Sequence, residues 1–355
     1  MKIIDLSITP VELVIKQTID VLKSGGLVLF PTETTYGAGV DATNQEAVNK
    51  LLAYKSRREG KPLSILVHNK EMAENYVDIN QQAEKLYAQF LPGPFTIVSK
   101  SLNNVASGVE SEFGTLGVRI PDYKLMLQIS NKYNKPITAT SANASGKKRP
   151  YTINDIFLNL SDKQKGLVDL VLDAGQLPKN EPSTVIDTTL STPVILRSAE
   201  ESKRSTTIIS QSEHETKEIA GRIMLKHWNE ITTNGLVIAL NGDLGMGKTI
   251  FTKGSAEFLG IEETIKSPTY SYIEEYDYQR YQTKGRLYHL DMWKVEDQKM
   301  FDRLEINELL KTNNVVIVEW YSQVAKYFES LLKDTKIVKI NFAQIGNNRN
   351  LEIID

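Results

Sequence analysis

Eight consecutive residues, Gly242-Asp243-Leu244-Gly245-Met246-Gly247-Lys248-Thr249, satisfy the Walker A spacing G-x-x-x-x-G-K-[ST] in full. Their types suit the binding of a nucleoside triphosphate. Glycines allow successive backbone N–H groups to turn toward phosphate oxygens, and a helix starting there offers its positive end to the same anion. Lys248 is placed to reach the β- and γ-phosphates and Thr249 to set its hydroxyl on Mg2+. Such a site also needs an acid beside the metal or the attacking water. Two carboxylates are candidates: Glu319, which ends the apolar run 315–318, and Asp291, which follows residues 287–290.

The first half of the chain carries a more dispersed set. Residues 31–39 (PTETTYGAG) follow the apolar run 26–30. Hydroxyls and glycines after a strand suit a small polar ligand at the strand end, and equally suit a plain turn. Lys55, Arg57 and Arg58 close a helical stretch, while Lys61, Arg119, Arg149 and Arg197 stand beside strand ends. Converging, such cations would bind a triphosphate and neutralise charge during attack on phosphorus; scattered, they would be surface charges. Ser141, Asn143, Ser145 and Gly146 make a polar turn of the kind that contacts phosphate or ribose.

The elements that must position these groups alternate between strand and helix patterns. Strands are expected at 26–30, 63–67, 96–99, 116–120, 137–140, 170–173, 184–187 and 194–197, with a helix at 45–54. The polar stretch 198–205 (SAEESKRS) reads as a linker. Beyond it come a strand at 206–210, a helix at 213–229 and an apolar strand at 236–240 feeding the glycine-rich turn. Strands at 315–318, 336–340 and 351–354 close the chain. The expected fold class is α/β with two domains, 1–200 and 206–355: a twisted mixed sheet with helices, then a P-loop NTPase-like domain.

Composition narrows the chemistry. At 355 residues the chain is long for one core. It has no cysteine, so disulfides, thiolate zinc sites, iron–sulfur clusters and cysteine nucleophiles are excluded. Four histidines speak against a histidine-rich metal centre. Asp5 and Glu12 interrupt the N-terminal apolar stretch, and no apolar run reaches the roughly 20 residues of a membrane span. A cytoplasmic protein with no membrane partner is expected. The net charge of −2 leaves neither half clearly basic, unlike a general nucleic-acid binder, although Lys147, Lys148 and Arg149 form a local basic spot.

Residues 206–355 resemble the TsaE family, small P-loop ATPases of tRNA threonylcarbamoyladenosine synthesis. The likeness lies in GDLGMGKT (242–249), SPTY (267–270), YHLDMW (288–293) and VEW (318–320). It implies that Thr249 and Glu319 hold Mg2+, that Asp291 supports hydrolysis and that residues 267–270 respond to nucleotide state beside Trp320. Trp293-Lys294 replaces the family's usual Tyr-Arg, and lysine cannot make arginine's bidentate contact.

Residues 8–200 resemble the YrdC-like (TsaC-like) threonylcarbamoyl-AMP synthases. The segments are FPTETTYGAGVDA (30–42), KSR (55–57), KPLSILV (61–67), LPGPFTIV (91–98), GVRIPD (117–122), TSANASG (140–146), STVID (183–187) and ILR (195–197). The resemblance implies that L-threonine, bicarbonate and ATP become threonylcarbamoyl-AMP and pyrophosphate. Threonine N-carbamate would attack the α-phosphorus, with catalysis by positioning and charge neutralisation. It implies threonine binding by Thr34, Arg119 and Ser183, ATP binding by Arg57, Lys61, Thr115, Ser141, Asn143, Arg149 and Arg197, and catalytic roles for Lys55 and Arg57. Leu66 stands where some relatives have histidine; His68, two residues on, shares its face by strand alternation. Ser198-Ala199 replaces the usual Pro-Gly.

The two resemblances converge on one tRNA-modification pathway, the second domain hydrolysing ATP in support of a TsaD/TsaB-like transferase complex that acts on tRNA. Two other readings differ in class. An RNA-binding module switched by a P-loop ATPase would give no threonine-dependent pyrophosphate. A P-loop kinase would need an acceptor site, for which the sequence has no signature.

Overall fold

The computed structural model describes residues 1–56, 61–143, 148–190, 205–268, 271–328, 330–332, 334–346 and 348–355, and the backbone of 194–197. The chain divides into two compact units, Met1–Glu201 and Ser202–Asp355. Most of the expected linker, residues 198–204, lies outside the described residues.

In the first unit the strands are, in chain order, β1 (Lys2–Asp5), β2 (Leu27–Phe30), β3 (Gly37–Gly39), β4 (Ser64–Leu66), β5 (Val77–Asp78), β6 (Phe95–Ser101), β7 (Thr115–Arg119), β8 (Ile137–Ser141), β9 (Val168–Asp173), β10 (Thr184–Asp187) and β11 (Val194–Arg197). They form one mixed sheet in the order β1-β9-β2-β3-β8-β4-β7-β6-β10-β11, with β5 on β6. β2 shows why the strands read as unbroken apolar runs. Leu27 and Leu29 enter one core cluster, with Ile65, Ile97, Leu116 and Val118; Val28 and Phe30 enter another, with Leu66, Met126 and Ile129. A sheet buried on both faces leaves no polar alternation to detect. Helix Val11–Lys23, unanticipated from sequence, buries Val14, Ile15, Thr18 and Leu22 and packs in the second cluster with helix Lys124–Tyr133.

The second unit holds β12 (Thr206–Ser210), β13 (Leu236–Asn241), β14 (Ile273–Arg280), β15 (Thr283–Asp291), β16 (Val315–Glu319), β17 (Lys336–Ile345) and β18 (Asn348–Ile354), in the order β12-β18-β17-β13-β16-β15-β14. The four central strands, β17, β13, β16 and β15, are parallel. β14, β18 and β12 add antiparallel edges. The expected helix 213–229 is instead two, Glu213–Lys226 and Trp228–Asn234. His227 between them departs from helical angles (φ −97°, ψ 16°) and turns a buried ring toward Asp355, 3.5 Å away.

Asp355 also pairs with Lys226 and, at 2.7 Å, with Lys336. His227, then the two lysines, hold its carboxyl far below the usual carboxylate range against the opposing effect of burial. The depressed folded pKa means a stabilisation fully present above an unfolded Asp's value of about 3.9 and lost as pH falls below it. Asp355→Asn should therefore cost about 2 kcal/mol at neutral pH and flatten the loss of stability below pH about 4. Urea unfolding at several pH values measures this; an unchanged pH profile would contradict it.

Candidate functional site

Three neighbouring parallel strands of the second unit end in line. Leu240 of β13 lies opposite Glu319 of β16, which lies opposite Asp291 of β15. The turn 242–247 leaves β13 and enters helix Lys248–Leu259. Carboxylates and a helix N-terminus thus meet at the C-terminal edge of a parallel sheet, where α/β folds bind ligands. Gly247 has φ +101°, and a Cβ there would sit 2.8 Å from Arg349 Nε, so both backbone angle and space call for glycine.

The buried Lys248 donates through Nζ to the carbonyls of Gly242 (2.7 Å) and Asp243 (2.9 Å) and lies 4.4 Å from the Trp320 ring centroid. Burial lowers its pKa, opposed by Glu319, Asp291 and Asp243, which favour the charged form. Thr249 Oγ1 donates to Glu319 Oε1 at 3.0 Å. A cavity of about 520 Å³ adjoins these groups, lined also by Leu244, Gly245, Ser267, Asp291 and Trp293. Asp243 and Met246 belong to the same turn, closed by Met246 N–H on the Asp243 carbonyl at 3.4 Å. Trp293 and Trp320 approach with ring centroids 5.0 Å apart. Of the expected responsive segment 267–270, Thr269 and Tyr270 lie outside the described residues.

His289 was not singled out from sequence. It is fully buried, with Nε2 2.9 Å from Glu319 Oε1 and Nδ1 3.0 Å from the Lys266 carbonyl. A carbonyl only accepts, so Nδ1 carries a hydrogen. Nε2 is thereby directed at the Glu319 carboxyl. Strand alternation places His289 and Asp291 on one face of β15, a signal already present in the YHLD run.

In the first unit, β7 sorts its residues by face. Leu116 and Val118 enter the core, so Thr115, Gly117 and Arg119 share the other face. A Cβ on Gly117 would lie 2.7 Å from Ser64 Oγ and 3.0 Å from Thr96 Cγ2, which keeps the strip between Thr115 and Arg119 low. Thr115 lies two residues beyond the Gly117–Ser64–Ala139 row, and Ser141 lies two residues beyond it in the same direction. One end of helix Gln45–Lys55 fixes that corner. Lys55 Nζ donates to the carbonyls of Ser141 (2.7 Å) and Asn143, and the Tyr54 hydroxyl to that of Ala142. Three successive carbonyls are thereby held by two adjacent side chains.

About 13 Å along β7 from Thr115, Arg119 Nη2 donates to Thr34 Oγ1 and Glu33 Oε1, each at 2.8 Å. Thr34 is presented by a tight turn: Thr32 Oγ1 donates to the Thr35 carbonyl (2.7 Å) and accepts the N–H groups of Thr34 (3.2 Å) and Thr35 (3.3 Å). Thr96 is opposite Arg119 by register, and its Oγ1 lies 3.5 Å from Ser183 Oγ. Thr34, Arg119 and Ser183 therefore gather at one end of the face and Lys55, Thr115, Ser141 and Asn143 at the other. Lys61 leads into β4 on the Thr115 side. Arg149 is engaged by Glu181 at 3.1 Å. Arg57, Arg58, Ser145, Gly146, Lys147 and the Arg197 side chain lie outside the described residues. β4 ends at Leu66, so the alternation expected to carry His68 to Leu66's face stops short of it; burial lowers the His68 pKa.

A family model for Sua5, YciO and YrdC proteins, described as telomere recombination, matches residues 20–199. The Vibrio campbellii threonylcarbamoyl-AMP synthase is 30% identical over 176 residues, covering 48% of this chain and 92% of its own. The chain belongs to the Sua5/YrdC family. Another member, the Pyrococcus abyssi threonylcarbamoyl-AMP synthase, is 34% identical over 177 residues, half of this chain and 51% of its own. The fold is shared with P. abyssi Sua5 complexed with L-threonine, at 20% identity and a TM-score of 0.52, over 96% of this chain and 99% of that one. Beyond the Sua5/YrdC match, residues 210–351 match the model described as threonylcarbamoyl adenosine biosynthesis protein TsaE. Among the described residues no helix is long and apolar enough to cross a membrane.

Proposed function

We propose that the first unit makes L-threonylcarbamoyl-AMP and pyrophosphate from L-threonine, bicarbonate and ATP. The second unit hydrolyses ATP in support of a TsaD/TsaB-like transferase complex that places the group on tRNA. The observation carrying the first half is the division of one β7 face into two polar ends, with glycine between them. An amino acid held by Arg119, Thr34 and Ser183 lies at one end. The triphosphate and nucleoside, met by Lys55, Arg57, Lys61, Thr115, Ser141, Asn143, Arg149 and Arg197, lie at the other. The carbamate formed on the amino acid then faces the α-phosphorus across Gly117, and catalysis is alignment plus neutralisation of charge. Lys55 acts chiefly by fixing the Ser141–Asn143 turn. Mass-spectrometric detection of threonylcarbamoyl-AMP from the three substrates tests this assignment; folded chain that forms none contradicts it.

In the second unit a hydroxyl and a carboxylate 3.0 Å apart, with Asp291 alongside, are all oxygen donors and suit Mg2+, which is commonly held by one or two carboxylates plus substrate phosphates. Thr249 and Glu319 would hold the ion, which supplies neutralisation of phosphate charge. Lys248 exchanges its carbonyl partners for phosphate oxygens, and Asp291 orients the attacking water. His289 fixes the direction of Glu319 from behind. His289→Ala should weaken Mg2+-dependent ADP binding about 10–100-fold, measured by calorimetry with and without Mg2+. A loss of the same size in both conditions would assign His289 to packing alone.

A further inference from the structure

The ion pair between Arg119 and Glu33 uses one nitrogen and one oxygen, Nη2 and Oε1. Two of the remaining charged-group atoms, Arg119 Nε and Glu33 Oε2, are both buried and have no partner among the described residues. Leaving a charged donor and a charged acceptor buried and unpaired is unfavourable. Both can be satisfied at once by a ligand that carries an acceptor and a donor close together. An α-amino acid is such a ligand, its carboxylate and ammonium being attached to one carbon. The pair is also held in place from outside. Thr34 accepts from Arg119 Nη2, and Asn180 Nδ2 donates to the Glu33 carbonyl at 2.7 Å.

We propose that Glu33 is a catalytic residue of the first unit: its Oε2 accepts a hydrogen bond from the α-ammonium of the amino-acid substrate and then takes a proton from it. The proposal rests on the synthase assignment above and deepens it. When the ammonium gives one proton to Glu33 Oε2, the bonding pair stays on nitrogen as the lone pair. That lone pair forms the N–C bond to the carbon of bicarbonate. The bicarbonate hydroxyl leaves as water with one of the two protons remaining on nitrogen, and the carbamate keeps the negative charge. Glu33 returns its proton to water before the next cycle. Arg119 meanwhile holds the substrate carboxylate, so one ion pair reads both charges of the zwitterion.

The test is calorimetric titration of the full chain with L-threonine and with 2,3-dihydroxybutanoate, which carries a hydroxyl in place of the ammonium. Wild type should prefer threonine by about tenfold or more. Glu33→Gln, which keeps an acceptor oxygen for Arg119, should lose that preference while binding the analogue much as wild type does. At saturating threonine its pyrophosphate release should fall on the order of 10²-fold. Glu33→Asp, which retains the charge, should recover part of the preference. A Glu33→Gln chain with wild-type unfolding temperature and an unchanged threonine-to-analogue ratio overturns the proposal. So does an unchanged ratio in Glu33→Asp together with full activity in Glu33→Gln. Wild-type chain that binds neither compound and releases no threonine-dependent pyrophosphate overturns the synthase assignment itself, and Glu33's role with it.

Discussion

Arg119→Ala is expected to lower kcat/KM for threonine in pyrophosphate release by about 10²–10³-fold, while ATP hydrolysis by the second unit stays unchanged. The guanidinium is only 13% exposed and touches both Thr34 and Glu33. On the proposed binding mode its removal deletes the anchor for the substrate carboxylate, and it leaves the Glu33 carboxylate buried beside Thr34. Removing one partner of a buried, hydrogen-bonded charge pair is costly largely because the other charge is stranded. Initial rates against threonine concentration measure the effect. A threonine dependence like that of wild type would show that the amino acid binds elsewhere.

The second large effect is expected from Lys248→Ala. Threonine-independent ATP hydrolysis should fall by about 10²–10³-fold, the loss typical of removing one preorganised charge-stabilising donor. Threonine-dependent pyrophosphate release should be largely retained. Lys248 is held among the carbonyls of Gly242 and Asp243 and the Trp320 ring, so its ammonium is desolvated and directed before any phosphate arrives. The variant separates the two activities, since Gly242, Asp243 and Trp320 all belong to the second unit. Loss of both activities in a folded Lys248→Ala chain would contradict independent sites.

What could be read from the chain alone follows the range of the interactions involved. β2, β13 and β16 are short runs buried on both faces, so their apolar character is continuous and visible. β14 does carry a strand signal, Tyr276 and Tyr278 being buried in alternation with exposed Glu275, Asp277 and Gln279, but with only two such positions in a charged stretch it was passed over. At the break His227 turns toward Asp355, far along the chain, a pairing that no local pattern announces. The glycine-rich turn was legible in full because its chemistry is encoded in eight adjacent residues.

The first unit's site is built the other way. Arg119 meets Glu33 across 86 residues, and Lys55 reaches Ser141 across another 86. Local spacing names these residues as cations and hydroxyls; the sheet register decides which of them meet. Glu33 stood inside a motif whose threonines and glycines drew attention, yet its pairing with Arg119 has no local signature. His289 is an intermediate case. Alternation along β15 put it with Asp291, but its bond to Glu319 depends on the pairing of two strands 30 residues apart.

The most direct measurement is pyrophosphate release from ATP by the Lys248→Ala chain, with L-threonine and bicarbonate supplied together, singly and not at all. Release that requires both co-substrates is the predicted result, because in the proposed reaction the adenylyl group passes to a carbamate assembled from the two. Release indifferent to threonine, from chain shown to be folded, would contradict the synthase assignment and return the RNA-binding alternative to first place.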